Sequence, residues 1–521
     1  MAKNKMIHAT ARGKRPIPQA VAAFLIIVFV CGGLWLGQKP RPLAEFDQPF
    51  YLGIAYDLRH AGRFTDGYFF AQPEADGLRP PSMRFVPLYP ALLAGVAHID
   101  SALQVNMDCL VNGNGRNAAC GRAAPIMRGL QFVELCVVFW MVWWLGIEEG
   151  RKHFFFEKKK QKTFSSSATR QGNAYAKVAK VFWFFFSKKN SSSSLIAWLT
   201  LALALPTAPL LLRSVNYLMT EMTCLLLTTA ATLCAVQVVQ SPRPCRWAVI
   251  GGALLALAAL TRPAFLYLLI AAALAGGAAV LRRRAHWPAL AAFIAASVLL
   301  LAPWFLRNAL VLGRPALTFG YASHTLVQRI AFDAMNGREY GMAYVCWLPD
   351  GTALGRAIAG PGACDRFGWD DPRSFYLIGQ RHLLDQTLAA AGGYAHHMQY
   401  LLHTYIFAMP VWHILVSIPL ALRGAYVAHW WGFILLAVCL WQTGLAVRRA
   451  NWAFLAVALP AWFMLALNAA VAVNQVRYNL MLIPPYALAG AMALGQAWHW
   501  AHRKWMVNSA NSMPAEPLTG A

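Results

Sequence analysis

Two carboxylates two positions apart, Glu45 and Asp47, stand directly after the first long apolar run of the chain. Gln48-Pro49 and an amphipathic stretch from Tyr51 to Leu58 follow, then Gly62-Arg63-Phe64. The segment closes on a basic, proline-rich stretch, Arg79-Pro80-Pro81 and Arg84-Phe85-Val86-Pro87-Leu88-Tyr89-Pro90. A carboxylate at a membrane surface, partly withdrawn from water, is a competent general base. This combination reads as a catalytic loop rather than a connector. Asp47 also precedes a proline at a helix start, so ordinary N-capping competes with catalysis for this residue.

The elements that must position these residues are membrane helices. Of 521 residues, 58% are hydrophobic and only 13% charged, where a soluble domain would carry roughly a quarter charged. Several runs reach the length of about 20 apolar residues needed to cross a bilayer. The fold class expected is an all-α polytopic membrane protein with 10 or 11 transmembrane helices and two sizeable external loops. The formal net charge of +25 does not point to nucleic acid. The basic residues cluster at the ends of apolar runs (Lys3, Lys5, Arg12, Lys14 and Arg15; Arg282, Arg283 and Arg284), which records topology. No basic stripe interleaved with aromatics is present.

In chain order, residues 1–17 form a basic cytosolic N-terminus and 18–37 a first span, read as a retained signal anchor because no clear cleavage site follows. Residues 38–125 form one external loop with interfacial helices. Within it, 49–62 would place Phe50, Ile54, Leu58 and Ala61 on one face, and 87–99 is too short to span. Residues 126–147 return the chain to the cytosol. Residues 148–194 are a Lys/Ser/Phe-rich cytosolic insertion, read as low-complexity sequence or as a basic aromatic segment lying on anionic lipid. A transmembrane core covers 195–306, broken at Thr261-Arg262-Pro263. Residues 307–402 are a second external loop or small domain. Residues 403–500 carry the last transmembrane helices, one run of which must be non-spanning if 10 is the count, and 501–521 are a cytosolic tail.

Of ten cysteines, six lie in or beside apolar runs, and four fall as one pair in each external loop. Disulfides Cys109–Cys120 and Cys346–Cys364 are expected for an oxidising compartment. His396, His397 and His403 lack the spacing and the neighbouring acid of a metal site, so no metal is assigned. No cofactor is expected, with a divalent cation left open.

The order of motifs resembles GT-C class membrane glycosyltransferases, in the group that includes protein O-mannosyltransferases and lipid A aminoarabinose transferases. The resemblance is carried by the acidic pair after the first span, by Tyr51-x-x-x-Ala55 ending in Gly62-x-Phe64, and by Pro87-Leu88-Tyr89-Pro90. Further along, it rests on Glu221 at an external turn, Thr261-Arg262-Pro263, Pro303-Trp304-x-x-Arg307-Asn308, and Arg477-Tyr478 ahead of Pro484-Pro485. It covers most of residues 18–315 and a piece near 474–490; 148–194 and 307–402 have no counterpart. The family's catalytic carboxylate falls on Asp47, with Glu45 second. Relatives often carry another acid directly after it, where this chain has Gln48.

The resemblance implies an inverting transferase that moves a sugar from a polyprenyl-phosphate donor to a lipid, glycan or protein acceptor on the external, periplasmic face of a bacterial inner membrane. Nucleotide sugars are made in the cytosol, so an external site needs its sugar carried across on lipid. The leaving phosphate needs cations, and guanidinium groups hold phosphate bidentately. Arg84, Arg79, Arg307, Arg262 and Arg477 are the candidates, each weighed against snorkelling or a topological role. Arg262 stands out because an ionisable residue at membrane depth is usually functional. Tyr51, Tyr89, Glu221 and Tyr478 are candidates for lining the sugar or acceptor site. A polymerase or ligase of lipid-linked polysaccharide is the second reading. A transporter or lipid flippase is the third, disfavoured because no internal repeat is visible.

Overall fold

The computed structural model describes residues 17–68, 71–75, 77–113, 120–165, 191–282 and 286–511. The expectations for Lys3, Lys5, Arg12, Lys14, Arg15, Arg283, Arg284, most of the 148–194 insertion and the end of the C-terminal tail lie outside these residues. The chain is an all-α polytopic membrane protein, with no strand among the described residues. Among the described residues, ten helices are long and apolar enough to cross a bilayer.

The first, α1 (Ile17–Leu36), contains no charged residue, and at about 1.5 Å per residue it reaches roughly 30 Å. The loop after it holds α2 (Gln48–Ala61), α3 (Leu88–Val96) and α4 (Ser101–Asn112). Pro49 starts α2, and Gly62, at φ 61°, ends it by returning its N–H to the Leu58 carbonyl. This helix is more deeply packed than a single apolar stripe predicts. Leu52, Ile54, Ala55 and Asp57 are buried, while Ala61 is exposed. The 87–99 run folds as the short α3, which does not span.

Next comes α5 (Pro125–Ser165), whose apolar part is Pro125–Gly150 and which continues as helix into the Lys/Phe-rich stretch. α6 (Ser191–Ala204) and α7 (Ala208–Asn216) make one span, bent at Leu205-Pro206-Thr207. Then follow α8 (Glu221–Gln240), α9 (Pro244–Thr261), α10 (Ala264–Leu281) and α11 (Trp287–Leu312). α9 and α11 approach so closely that a Cβ on Gly252 would meet the Phe293 carbonyl oxygen at 2.4 Å. Ser297 on α11 donates to the Gly252 carbonyl at 3.1 Å. Small residues and hydroxyls at helix contacts are how membrane helices associate without a hydrophobic driving force.

The segment after α11 carries α12 (Tyr321–Ile330), α13 (Gly337–Cys346), α14 (Gly351–Ala359), α15 (Leu384–Ala391) and α16 (Tyr394–Leu401). α17 (Pro410–Ala425), α18 (Trp430–Arg449), α19 (Trp452–Val471) and α20 (Ile483–Asn511) complete the chain. The 313–409 segment is docked onto the membrane helices rather than standing apart. Phe332, Trp347, Phe367 and Phe375 share one core with Val416, Leu420, Ala469 and Val473. Fully buried Arg329 ties the junction: it donates to the carbonyls of Ala469 (2.7 Å) and His413 (2.9 Å) and pairs with Asp333 (2.7 Å).

Contacts between loops give the topology. Arg477 reaches Asp47 and Glu221, Arg262 reaches Glu221, and Arg307 reaches the Ser82 carbonyl. The loops after α1, α7, α9, α11 and α19 therefore share one face of the membrane. At the opposite face Asn451 donates to Glu149. α17 has both ends near the first face: His413 contacts Asp333, and Ala425 accepts from Tyr486. It turns 96° from the Tyr394–Ile406 helix and returns to the face it leaves, so the apolar run at 404–422 is the non-spanning one and ten candidate spans remain among the described residues.

Candidate active site

Asp47 occupies the N-cap position of α2, yet its side chain makes no capping hydrogen bond. Its carboxylate accepts instead from Arg477 Nη2 at 3.2 Å, and remains 46% exposed. Arg477 lies on a short 3₁₀ stretch, Val476–Leu482, just ahead of α20. Its Nε donates to Gln475 at 3.0 Å and sits 3.8 Å from Glu221 Oε1. Glu221 is the first residue of α8, where the helix N-terminus favours a negative charge. Its side chain is 5% exposed, and Oε2 is buried without a hydrogen-bond partner among the described residues.

The fourth charge is Arg262. The chain breaks between α9 and α10 because Pro263 excludes a helical residue before it, and Arg262 is extended at φ −149°, ψ 122°. That extension carries its guanidinium to 3.9 Å from Glu221 Oε1 and 4.0 Å above the Tyr478 ring. Two carboxylates and two guanidinium groups thus meet where four chain breaks converge. Three tyrosines close around them: Tyr51 on α2, Tyr321 at the start of α12, and Tyr376. Burial pushes the Tyr51 phenol well above its ordinary range, with Tyr321, Asp47 and Glu221 adding to the rise and Arg262 opposing it. Burial likewise pushes Tyr321 to about 12 and Tyr376 to about 12. All three remain hydrogen-bond donors at neutral pH.

The other predicted cations lie apart from this group. Arg79 donates to Asp57 Oδ1 at 2.6 Å, and Thr65 holds the other oxygen. Arg307 donates to the carbonyls of Ser82 (2.6 Å) and Phe64 (3.1 Å) and stacks on Trp304. Arg84 sits 3.6 Å from Asp66 and 5.6 Å from the centre of the Tyr394 ring. These three shape the proline-rich loop, whose Phe85 touches Tyr51 and Tyr321. Tyr89 is buried, accepts from Gln131 at 3.1 Å and packs edge-on against Tyr51, behind the cluster.

Glu45 lines a separate pocket with Lys39, Arg41 and Arg213, and is an electrostatic neighbour of Tyr217. Both disulfides, Cys109–Cys120 and Cys346–Cys364, are formed on the face that carries the cluster. His397 is buried against Thr387 at 2.8 Å, and no group of three or more metal-ligating side chains exists among the described residues.

Tyr321, Tyr376 and Arg423 were not legible as site residues. Arg423 lies over the Trp347 and Trp369 rings, with Tyr478 as an electrostatic neighbour. Tyr321 follows Gly320, whose φ of 79° turns the chain into α12. A Phe-Gly-Tyr step is the only local sign, and it is weak.

Two solved proteins are similar over most of the chain. One is ArnT from Cupriavidus metallidurans bound to undecaprenyl phosphate, at 15% identity and a TM-score of 0.34 over 92% of this chain and 78% of that one. Its apo state gives the same identity and coverage at a TM-score of 0.32. The other is the archaeal oligosaccharyltransferase AglB from Archaeoglobus fulgidus in complex with an inhibitory peptide and a dolichol-phosphate. It is 13% identical at a TM-score of 0.38, over 95% of this chain and 52% of AglB, so the chain spans about half of AglB. No protein-family model and no curated protein sequence matches the chain. At these scores the functional reading rests on the residues of the chain itself.

Proposed function

We propose that the chain is a GT-C-like membrane glycosyltransferase that moves a sugar from a polyprenyl-phosphate donor to an acceptor on the outer face of the membrane. One observation carries the reading: a half-exposed carboxylate, Asp47, is oriented by a guanidinium at the rim of a buried cluster of arginine, glutamate and tyrosine at the membrane boundary.

Asp47 takes the proton of an acceptor hydroxyl as that oxygen attacks the anomeric carbon. The bond from that carbon to the phosphate oxygen breaks, and its electron pair leaves with the lipid phosphate. Attack from the side opposite the leaving group inverts the anomeric centre. Arg262 and Arg477 meet the charge that develops on the phosphate, in a site withdrawn from water where fixed cations act strongly. The orphan Oε2 of Glu221 is an acceptor for a sugar hydroxyl. Tyr51 and Tyr321 donate to donor or acceptor oxygens and keep the site aromatic-walled.

The outer location is supported by the two disulfides on the cluster face and by Arg243, Arg246, Arg448 and Arg449 at the other. The N-terminus is then cytosolic, and the membrane a bacterial inner membrane. The test is donor consumption by purified protein in nanodiscs, with labelled polyprenyl-phosphate sugars and membrane lipid extract as acceptor. Wild type should release polyprenyl phosphate, and Asp47→Asn should not. Full activity in a folded Asp47→Asn variant contradicts the assignment.

A further inference from the structure

One guanidinium near the cluster, that of Arg423, is left unused by the chemistry above. It lies in the last turn of α17, 4.5 Å from the centre of the Trp369 ring and 5.2 Å from that of Trp347. Among the described residues this guanidinium makes no hydrogen bond and no ion pair. Acids of the neighbouring segment pair elsewhere: Glu339 with Arg366, and Asp365 and Asp371 with Arg373. Burial lowers the Arg423 pKa to about 10, against the pull of Tyr478, so the group is a cation at neutral pH. A charge partly withdrawn from water is costly unless an anion meets it, and indole faces offset only part of that cost.

The position is fixed from several sides. Gly424 lets α17 press on the stretch that carries Arg477 and Tyr478, since a Cβ there would meet the side chains of Asn474 and Asn479. Asn474 donates to the Leu420 carbonyl at 3.0 Å, and Asn479 donates to Asn474 at 2.6 Å. Tyr486 on α20 donates to the Ala425 carbonyl at 3.1 Å. The indoles are held as well. Trp347 donates to the Phe367 carbonyl at 3.4 Å beside the Cys346–Cys364 disulfide. Trp369 packs edge-on against Tyr376, ring centres 4.7 Å apart, and Tyr376 has Tyr478, Asp47 and Arg477 as electrostatic neighbours. Tyr478 meets Arg262 and Arg477 with its ring and is the electrostatic neighbour of Arg423. Three guanidinium groups therefore gather at one tyrosine. Two of them meet Glu221 and Asp47, and the third meets no anion among the described residues.

We propose that Arg423 and Trp369 form a subsite for a carboxylate on the transferred sugar, so that the donor carries a uronic-acid-type residue. The assignment to the donor rests on the transferase reading. In that reading Arg262 and Arg477 take the phosphate on the anomeric carbon. In a hexuronic acid the carboxylate-bearing carbon stands across the ring oxygen from the anomeric carbon, so the two anions flank one edge of the sugar. A guanidinium holds a carboxylate bidentately. The C–H face of the sugar ring lies on the indole, where apolar surface leaves water. A neutral sugar leaves the cation unmet, and an amino sugar is repelled by it, so the same residue selects for one class and against another.

The experiment measures donor retention by native mass spectrometry, with the full chain in nanodiscs and no acceptor. The probes are undecaprenyl-phosphoryl glucuronate and undecaprenyl-phosphoryl glucose. Wild type should retain the glucuronate form at least about tenfold better, the worth of one charge-assisted contact. Arg423→Gln should lose that preference while still retaining the glucosyl donor, which shows that its fold and phosphate site are intact. Arg423→Lys keeps the charge without the planar fork and should keep only part of the preference. Should Arg423→Gln retain neither donor, the Lys variant decides: a reduced preference supports the subsite, and an unchanged one overturns it. Equal retention of both donors by wild type overturns the proposal and leaves the transferase reading standing, as does a preference that survives in Arg423→Gln. A lipid-free arm compares methyl β-glucuronide with methyl β-glucoside by saturation-transfer NMR. Glucuronide binding that needs Arg423, with neither lipid donor retained by wild type, supports the carboxylate subsite and contradicts the transferase reading. No selective binding in either arm overturns the proposal.

Discussion

Two groups of arginines border the same loop and differ in what holds them. Arg79, Arg84 and Arg307 make close contacts inside the protein, Arg79 to a buried carboxylate at 2.6 Å and Arg307 to backbone carbonyls at 2.6 and 3.1 Å. Arg262 and Arg477 straddle Glu221 at 3.9 and 3.8 Å, and Arg477 touches Asp47 at 3.2 Å. A guanidinium has five donors. In the first group much of that capacity goes to holding the proline-rich loop, whereas in the second the contacts are long and one partner is half open to solvent. The same residue type serves as staple in one place and, under the proposed function, as anion receptor in the other, and the partners, not the sequence spacing, separate the two.

The largest effect on folding should fall on the staples. Asp57→Asn removes one partner of a pair whose side chains are 9% and 13% exposed. Breaking a buried pair costs about 3–5 kcal/mol, so chemical or thermal unfolding should report a large loss, with turnover falling only as far as the folded fraction does. The receptor group should show the reverse. Arg477→Gln should lower kcat by about 10²–10³, the cost of removing a preorganised oxyanion donor, with a much smaller change in melting temperature. If Asp57→Asn abolished turnover in fully folded protein while Arg477→Gln left it intact, the two groups would have to be exchanged.

The smallest effect is a pH dependence at the edge of the stapled group. Burial, then the neighbouring charges of Arg84 and His397, lower the His324 pKa to about 4. The unfolded chain takes up a proton near pH 6.5 and the native state does not until about pH 4. The native state therefore binds fewer protons in that window, and stability falls as pH drops through it. His324→Gln should remove this contribution, narrowing the difference in melting temperature between pH 7 and pH 5 by about 1–3 °C. An unchanged difference would place His324 in contact with water.

The spans were legible because a bilayer demands length and apolarity, which α1 and α8 to α11 display in their composition. The interfacial run at 404–422 was ambiguous because hydropathy does not record direction; the contacts of the two ends of α17, His413 with Asp333 and Ala425 with Tyr486, show it. At the site, Asp47, Glu221, Arg262 and Arg477 each mark a chain break by a proline, a turn or a helix end. Tyr376 carries no such mark and Tyr321 only the weak one of the Gly320 turn, and both reach the cluster because Arg329 and the shared aromatic core dock the 313–409 segment onto α17 and α19. The arginines of the loop looked equivalent in sequence because their acceptors, Asp57 and the carbonyls of Phe64 and Ser82, are partners that only the folded backbone supplies.

The central claim is that Asp47, rather than Glu45, takes the acceptor's proton. Single-turnover transfer from a saturating polyprenyl-phosphate sugar, with donor binding measured separately, tests it for Asp47→Asn and Glu45→Gln side by side. Loss of a general base costs about 10²–10⁴ in rate. Asp47→Asn should lose that much while donor affinity stays within about threefold, and Glu45→Gln should turn over near the wild-type rate. A slow Glu45→Gln beside a fast Asp47→Asn would contradict the account.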